Sequence, residues 1–514
     1  MLSPDHEVII VGAGFGGIGS AIELDRAGVS DFLIVDKNEG IGGTWWANTY
    51  PGVAVDIPSI YYSFSYAPPN KWSRIFAPGA EVQEYAEQLV DHFDLRSRLR
   101  LGITVTGAAW DEREHLWRLS FADGSHLTSR YVIGAVGALE QPSMPDVEGI
   151  DRYQGKVVHT SRWDHDYDYS GKRVAVIGTG ATALQLIPEM ADVAERLAVF
   201  QRTPIWVAPK PDARIPAAVS RALLGIPALR RAIRAAVIVS IDFSITGIGI
   251  FHERIPVLVS GLARGGAVGY RAWLHGHPEL AEKLTPQYAV GCKRPSVSNR
   301  YLKTFTRSHV DLVTSAITEI TETGIRTADG SEYPIDVLVC ATGFKVMAKG
   351  ATPPFPLKGM GGLDLNEFWD THRYQAYQGV SIPQFPNAFM ITGPYGFAAG
   401  SYLAMIECTS RHAARAIAES RKRGATRVEI RQKAHDAYYR KYLARAGKTM
   451  WLSPACEGSN TYYVNYQGDA AAIRPSTHIE MWWGNKHFPL EDYQYRSSLT
   501  ASAQLENASL LPTP

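Results

Sequence analysis

Two short apolar runs near the N-terminus, separated by a segment with helical spacing, give the first prediction about the fold. The run Val8 to Val11 is followed by a glycine-rich turn, a helical segment and a second apolar run from Phe32 to Val35. Short apolar runs that alternate with helices are typical of strands in a parallel sheet. We therefore predict a strand, a helix and a strand, in that order, at the start of an α/β fold.

The same order returns in the middle of the chain. Apolar runs at Arg173 to Ile177 and Leu197 to Phe200 enclose a second glycine loop and a second helical segment. Later runs at Val310 to Val313 and Asp336 to Ala341 have the character of further buried strands, and Tyr131 to Gly137 closes the first unit. We predict an α/β protein with two Rossmann-like dinucleotide-binding domains and an inserted helical subdomain.

The first glycine loop has the residues that a bound dinucleotide requires. Gly12 permits a tight turn, Gly14 lets the backbone approach a pyrophosphate, and Gly17 lets the helix pack on the strand. Asp36, followed by Lys37, ends the next strand, where an acidic side chain can bind ribose hydroxyls. We interpret this loop as the binding site of FAD.

The strand after the second glycine loop ends differently, because Gln201 stands where the first unit has an aspartate and is followed by Arg202 and Thr203. A guanidinium suits a 2′-phosphate that an acid would repel, so we interpret this loop as the NADP(H) site. A solvated surface arginine is the alternative. The candidate contacts are Gly178, Thr179, Gly180, Ala181, Thr182, Gln185, Arg202 and Thr203.

A segment rich in alanine, isoleucine and arginine interrupts the second unit, and its run 235–251 is long and apolar but carries Asp242 and two glycines. This run falls short of the roughly 20 residues that span a bilayer, so we expect a buried helix or the wall of a substrate cavity. Contact with a membrane surface stays open because Arg230, Arg231, Arg234 and Arg254 flank the run. The predicted domains are an FAD-binding domain (1–150), an NADP-binding domain in two parts (151–212 and 285–344), the helical insertion (213–284), and the FAD-domain return with the C-terminal region (345–514).

Composition narrows the class of protein. The 514 residues carry a formal net charge of +1, which argues against nucleic acid as a partner, and 45% are hydrophobic, enough for two or three domains. The four cysteines form no CxxC pair and no metal-ligand spacing, and the first strand begins too close to the N-terminus for a signal peptide. We expect no metal, no disulfide framework and a cytoplasmic location.

Two longer motifs resemble those of a known enzyme family. Tyr153 to Asp164 resembles the FxGxxxHxxxW(P/D) fingerprint of type I Baeyer-Villiger monooxygenases, with a tyrosine in the leading position. Its other specified residues are Gly155, His159, Trp163 and Asp164. Gly42 to Asp56 matches a second family fingerprint, (A/G)GxWxxxx(F/Y)P(G/M)xxxD, at every specified place. The resemblance covers most of the chain up to about Phe344, together with the stretch from Phe385 to Pro394, and is less clear in the rest of the C-terminal part.

The resemblance implies that NADPH reduces FAD and that the reduced flavin captures O2 as a C4a-peroxide. This species inserts one oxygen next to the carbonyl of a ketone or aldehyde and so gives an ester or lactone. Because the flavin carries the chemistry, the protein must bind, orient and stabilise charge. The apolar insertion favours an apolar substrate, whereas the specific compound and the oligomeric state stay open.

The resemblance also assigns roles to a cation and its partner. Arg294 resembles the family arginine that stabilises the anionic oxygen species, and Lys293 resembles the lysine that contacts the NADP 2′-phosphate. Asp56 resembles the aspartate that orients the arginine. Local sequence offers two alternatives, an exposed loop for Arg294 and a turn aspartate for Asp56.

Other residues receive roles by the same resemblance. Gly43, Thr44 and Trp45 are expected to lie against FAD, with core packing as the alternative for Trp45. The four fingerprint residues around His159 and Trp163 are expected in the hinge between the nucleotide domains. The aromatic pairs Tyr462-Tyr463 and Trp482-Trp483 line a substrate entrance or pack the last helix, and the sequence does not decide between these.

Two other functions stay open. A flavin-containing monooxygenase that oxygenates sulfur or nitrogen would use the same scaffold, but Asp164, where those enzymes usually have a basic residue, favours the Baeyer-Villiger family. A non-catalytic NADP(H)-sensing protein is disfavoured by the intact FAD-binding and catalytic motifs.

Overall fold

Two sheets organise the chain in a computed structural model, which describes residues 3–294, 296–398 and 400–497. In chain order the strands are β1 (His6–Val11), β2 (Phe32–Val35), β3 (Leu99–Arg100), β4 (Val105–Asp111), β5 (Leu116–Phe121), β6 (His126–Gly134), β7 (Lys156–His159), β8 (Arg173–Ile177), β9 (Arg196–Phe200), β10 (Val207–Ala208), β11 (Ser296–Val297), β12 (Val310–Val313), β13 (Ile317–Ile320), β14 (Gly324–Thr327), β15 (Glu332–Pro334), β16 (Val337–Cys340), β17 (Leu357–Lys358), β18 (Ala388–Met390), β19 (Arg427–Ile430) and β20 (Tyr493–Arg496).

Helices cover these sheets and connect their strands. In chain order they are α1 (Phe15–Arg26), α2 (Thr44–Ala47), α3 (Gly79–His92), α4 (Ala181–Val193), α5 (Ala217–Gly225), α6 (Pro227–Ile241), α7 (Ile248–Phe251), α8 (Pro256–Trp273), α9 (Pro278–Leu284), α10 (Tyr301–Thr304), α11 (Leu365–His372), α12 (Tyr402–Lys422), α13 (Gln432–Ala446) and α14 (His478–His487). A π-helical turn, Asp242–Gly247, joins α6 to α7.

The first sheet has the strand order β17-β4-β5-β6-β1-β2-β3, with β18 paired to β6. Strand β1 runs parallel to both β2 and β6, and all four residues of β2 are buried. Helix α1 connects β1 to β2, and the long helix α12 packs on it, with 3.2 Å between the hydroxyls of Ser20 and Ser410. The first nucleotide-binding unit therefore includes β17, β18 and α12, which come after residue 345.

The second sheet has the order β12-β9-β8-β16-β7, and every neighbouring pair in it is parallel. Helix α4 connects β8 to β9, and the antiparallel strands β13, β14 and β15 come between β12 and β16 in the chain. The strands expected at Val310–Val313 and within 336–341 are present as β12 and β16. The prediction of two Rossmann-like units is confirmed.

The helical insertion contains α5 to α9 and lies between the paired strands β10 and β11. The expectation of a buried helix at 235–251 is wrong, because Arg234 is the buried residue of α6 while Val239 and Phe243 are exposed. The stretch Pro227–Arg254 has the length and composition of a membrane span, since its 28 residues are mostly apolar. Only 18% of the most apolar 18 residues in it are buried inside the protein. Periodicity could not reveal this exposure, because an apolar helix face has the same spacing whether or not protein covers it.

Candidate functional site

The first glycine loop joins β1 to α1, and its glycines leave the backbone without side chains that would cover it. Gly12 has φ +115°, and a Cβ added there would lie 2.4 Å from the carbonyl oxygen of Ala135. A Cβ on Gly17 would lie 1.8 Å from the Gly12 carbonyl oxygen, so α1 approaches β1 only because Gly17 has no side chain. Gly43, in the second fingerprint, would bring a Cβ within 3.0 Å of the Gly14 Cα. The two motifs therefore meet backbone to backbone, as a site for a close-lying phosphate requires.

Asp36 holds this loop at the end of β2. Its carboxylate accepts hydrogen bonds from the backbone N–H of Ala13 at 2.7 Å and of Asn38 at 2.8 Å, and burial raises its pKa. The carboxylate therefore lies where the ribose of a bound dinucleotide is expected. The ammonium of Lys37 pairs with Glu140.

The second glycine loop repeats this geometry with one difference. Gly178 has φ +113°, and a Cβ there would lie 2.5 Å from the Ala341 carbonyl oxygen. A Cβ on Gly180 would meet nothing within 4 Å, so open space lies in front of the N-terminus of α4. The Thr179 hydroxyl donates to the Thr203 carbonyl at 2.9 Å. Neither α1 nor α4 has an acidic residue in its first turn, so both helix N-termini suit a phosphate.

Lys293 and Arg202 bring two positive charges close together near Thr203. Lys293 is half-buried, and burial, followed by the charge of Arg202, lowers its pKa to about 8. Arg202 is exposed and has no ion pair within the part of the chain that the structure describes. Two cations that repel each other in this way are stabilised by an anion between them, which is the property that a 2′-phosphate site needs.

Arg294 and Asp56 form a two-point ion pair between residues 238 positions apart. Nε and Nη2 of the arginine donate to the two carboxylate oxygens, both at 2.6 Å. Their side chains are 30% and 28% exposed, so the pair is shielded from bulk water and still reachable by a small molecule. The charge of Asp56 raises the pKa of Arg294 above its already high ordinary value, which keeps the guanidinium charged.

Trp45 and Tyr62 lie beside this ion pair. The indole N–H of Trp45 donates to the Tyr62 hydroxyl at 3.0 Å, and their rings are in edge contact at 5.5 Å. Burial raises the pKa of Tyr62, and the charges of Asp56 and Arg294 also act on its hydroxyl. The sequence did not predict that Tyr62 lies at this ion pair, because Tyr62 is not a specified position of either family motif.

Tyr462 and Tyr463 reach the same ion pair from the C-terminal region. Their rings are 4.9 Å apart, Tyr463 is buried, and the charge of Arg294 acts on the pKa of both hydroxyls. Trp482 and Trp483 belong to α14, where Trp483 is exposed. Of the two aromatic pairs, Tyr462-Tyr463 is therefore the one with an electrostatic link to the ion pair.

Known proteins are similar to this chain over most of its length. A family model described as pyridine nucleotide-disulphide oxidoreductase matches residues 9–236. A Baeyer-Villiger monooxygenase of Pseudomonas aeruginosa is 34% identical over 88% of this chain and 84% of its own length. The chain belongs to the Baeyer-Villiger monooxygenase family.

Solved structures agree with this assignment. A crystal structure of OTEMO in complex with FAD and NADP has a TM-score of 0.84 at 26% identity, covering 96% of this chain and 100% of that one. An oxidised steroid monooxygenase bound to NADP has a TM-score of 0.83 at 29% identity, covering 96% and 100%. This Baeyer-Villiger monooxygenase uses FAD and NADPH, and the family, fold and cofactors expected from its sequence are confirmed.

The family fingerprint lies where β7 meets β16. A Cβ on Gly155 would lie 2.2 Å from the Tyr153 hydroxyl and 2.7 Å from the Asp336 carbonyl oxygen, so this position needs glycine. His159 is buried, its Nε2 lies 3.1 Å from the Gly343 carbonyl oxygen, and burial lowers its pKa. The histidine is therefore held neutral against the end of β16.

The last two fingerprint residues are also bonded within the second domain. Trp163 stacks on Tyr169 with 4.7 Å between ring centres, and the Asp164 carboxylate pairs with the Lys156 ammonium. Both contacts lie at the entry to the NADP-binding domain. The hinge role of the four residues stays a prediction.

Helix α4 of this Baeyer-Villiger monooxygenase contacts the first domain through Gln185. Its Oε1 accepts from the Tyr50 hydroxyl at 2.9 Å, and its Nε2 donates to the Ala54 carbonyl at 2.9 Å. Thr182 also interacts with the Tyr50 hydroxyl, and Ala181 begins the helix. Gln185, expected among the NADP contacts, thus uses its amide to connect the two nucleotide domains close to Asp56.

The expectation of no disulfide is wrong. Cys292 and Cys456 form a disulfide across a sequence separation of 164, and Cys340 and Cys408 are free and buried. The bond attaches the residue before Lys293 to the C-terminal region that carries Tyr462 and Tyr463. Cysteine spacing could not predict it, because two distant cysteines have no local pattern.

Proposed function

We propose that this enzyme converts an apolar ketone or aldehyde to an ester or lactone, with Arg294 as the catalytic cation. The observation that carries the proposal is the two-point ion pair of Arg294 with Asp56, at 2.6 Å on both sides. The aromatic side chains around it, Trp45, Tyr62 and Tyr463, suit an apolar carbonyl compound better than a charged one.

The residues of the first domain fit FAD. Gly12, Gly14 and Gly17 with the N-terminus of α1 would hold its pyrophosphate, and Asp36 its ribose. Gly43, Thr44 and Trp45 would lie along the cofactor, because Gly43 touches Gly14. FAD reduced by NADPH supplies the activation of O2.

Arg294 supplies a permanent positive charge for the oxygen that becomes negative when the substrate carbonyl is attacked. Asp56 orients the guanidinium before the substrate binds, so that little reorganisation is needed during the reaction. The tyrosine hydroxyls close to the pair remain protonated at neutral pH, because burial raises the pKa of Tyr62 and Tyr463. They can therefore donate hydrogen bonds without adding negative charge.

Binding of NADPH would use the second loop and its two cations. Gly178, Gly180, Ala181 and Thr182 would hold the pyrophosphate at the N-terminus of α4. Lys293 and Arg202 would bind the 2′-phosphate, and Thr179 fixes the strand end that carries Thr203.

Arg294→Ala tests the proposal. We expect the variant to retain FAD and NADPH-driven flavin reduction, but to lose formation of a product heavier by one oxygen by roughly 100-fold or more, because a charge-stabilising donor is removed. Mass spectrometry of products from a panel of apolar ketones, together with flavin absorbance, measures both.

The matched control is Arg326→Ala, which removes an arginine from exposed ion pairs with Glu319 and Glu332 and should leave both readouts unchanged. Unimpaired ester formation by Arg294→Ala would remove the arginine from the mechanism. Oxygenated thioethers or amines, with ketones untouched, would favour a sulfur- or nitrogen-oxygenating enzyme instead.

The partners in this proposal are a small apolar carbonyl compound and O2, with no nucleic acid, and the helical insertion makes peripheral contact with a membrane. We place the enzyme in the cytoplasm, and the disulfide is the observation against this, because disulfides are rare in reducing compartments.

A further inference from the structure

The helical insertion exposes more large apolar side chains than all the other residues that the structure describes taken together. Ten of the nineteen large apolar side chains that are exposed in the described residues belong to it. Phe243 is 79% exposed and Val257 is 83% exposed. Single exposed apolar residues are ordinary on a soluble domain, but a concentration of them in one segment marks an interaction surface.

Helix α8 shows that this surface is continuous. Val257, Arg264 and Val268 are exposed and recur at a spacing that places them on one helix face. Next to that face, Leu258 and Leu262 line a shallow apolar groove of about 730 Å³. The exposed side of α8 is therefore apolar along its length, with an arginine among the valines.

The charge of the insertion has one dominant sign. Residues 213–277 contain eight arginines and no lysine, against Asp242 and Glu253 as the acidic residues, while the whole chain has a net charge of +1. None of the exposed arginines of the insertion forms an ion pair within residues 3–294, 296–398 and 400–497. The exposed set is Arg214, Arg221, Arg231, Arg254, Arg264 and Arg271.

The other side of the insertion is fixed to the protein. Arg234 is buried and donates to the carbonyl oxygens of Ile60 at 2.9 Å and Ser63 at 3.0 Å. Asp242 accepts from the backbone N–H of His478 at 3.0 Å, at the start of α14. These bonds hold the apolar stretch against the rest of the protein and so oppose its crossing a bilayer as an isolated span.

Helix α14 extends the exposed surface from a different part of the chain. Its N-terminus lies at Asp242, next to the exposed Phe243, and its residues Ile479 and Trp483 are 57% and 59% exposed one turn apart. Tryptophan is common where protein meets the headgroup region of a bilayer.

We propose that the helical insertion and the exposed face of α14 bind an anionic lipid surface, with the apolar side chains in the headgroup boundary and the arginines on lipid phosphates. This deepens the membrane contact in the proposed function and is independent of the catalytic role of Arg294. An apolar face rimmed by unpaired arginines is complementary to such a surface. Two copies of the insertion would instead bring like charges together across a two-fold interface.

Vesicle co-sedimentation of the FAD-loaded full chain tests this proposal. We expect binding to phosphatidylcholine vesicles that contain phosphatidylglycerol, little binding to pure phosphatidylcholine, and release by high salt. The triple variant Phe243→Ser, Val257→Gln, Val268→Gln should lose at least about tenfold in affinity, as should Arg231→Gln with Arg264→Gln. Because all these side chains are exposed, flavin content and the rate of NADPH oxidation with a water-soluble ketone should not change.

The matched control is Met144→Gln with Val193→Gln, which removes two exposed apolar side chains outside the insertion and should bind as the unmodified enzyme does. Equal binding by the triple variant and the unmodified enzyme, or no binding to anionic vesicles, would overturn the proposal. Retention on vesicles after a high-salt wash would indicate a membrane span. A dimer in gel filtration that the triple variant converts to a monomer would indicate a self-association face.

Discussion

Lys293 and Arg294 are neighbours in the chain but have opposite electrostatic surroundings. Burial and the charge of Arg202 lower the pKa of Lys293 to about 8, whereas Asp56 raises the pKa of Arg294. One position therefore changes charge at mildly alkaline pH and the other stays charged. The sequence predicted two adjacent cations, but the difference between them comes from residues far away in the chain.

NADP+ binding should weaken as the pH rises through about 8, because Lys293 loses its proton in the free enzyme. A neutral amine cannot pair with the 2′-phosphate, whereas the bound phosphate keeps the proton in place. The Kd for NADP+ should rise about fivefold between pH 8 and pH 9, measured by calorimetric titration of the FAD-loaded enzyme.

Two controls separate this effect from general alkaline loss of binding. NAD+ lacks the 2′-phosphate, so its Kd should not change over the same range. Lys293→Met should bind NADP+ weakly and with no such pH dependence, and an unchanged fivefold rise in this variant would assign the titration to another group.

At the scale of elements, the two glycine loops look alike in sequence but differ in what surrounds them. A Cβ on Gly17 would lie 1.8 Å from a backbone carbonyl oxygen, whereas a Cβ on Gly180 would meet nothing within 4 Å. Gly17 therefore serves the contact between α1 and β1, and Gly180 keeps open the space in front of α4.

Alanine at these two positions should give different failures. Gly17→Ala should prevent α1 from packing and yield little FAD-loaded protein after gel filtration, as measured by flavin absorbance. Gly180→Ala should fold with normal FAD content but bind NADP+ at least about tenfold more weakly, because the methyl group fills space that a pyrophosphate needs. Normal NADP+ affinity in Gly180→Ala would place the pyrophosphate elsewhere.

The strands and glycine loops could be predicted from sequence because local signals fix them. The run Phe32–Val35 became β2 with the predicted bounds, and the second unit followed the same pattern. The burial of the insertion could not be predicted, because it depends on what lies opposite α6 and α8. Tyr62 and Tyr463 were not predicted as neighbours of Arg294 for the same reason, since only the folded chain brings them there.

At the scale of the whole molecule, the Cys292–Cys456 disulfide connects the second domain to the C-terminal region. It closes a covalent ring across a sequence separation of 164, which limits the freedom of the unfolded chain. Neither local spacing nor the family fingerprints pointed to this bond.

Reduction of the disulfide should lower thermal stability without removing FAD. A bond of this kind contributes roughly 2–4 kcal/mol, which for a chain of this size corresponds to a decrease in Tm of roughly 2–4 °C. Thiol titration in denaturant should find two free thiols, Cys340 and Cys408, and four after reduction. Cys456→Ser should unfold at the lower temperature with or without reductant, and four free thiols in the untreated enzyme would contradict the bond.

The arginine-rich insertion belongs to a molecule whose net charge is +1 and whose pI is about 7.7. Near neutral pH, copies of the enzyme therefore repel one another only weakly. Within each copy the helical insertion is cationic, and the rest of the chain is more acidic. In dilute buffer we expect the insertion of one copy to attract the more acidic part of the next copy in a head-to-tail contact. Added salt screens the attraction, so the solubility of the enzyme should rise with salt concentration, and the enzyme should precipitate on dialysis against water.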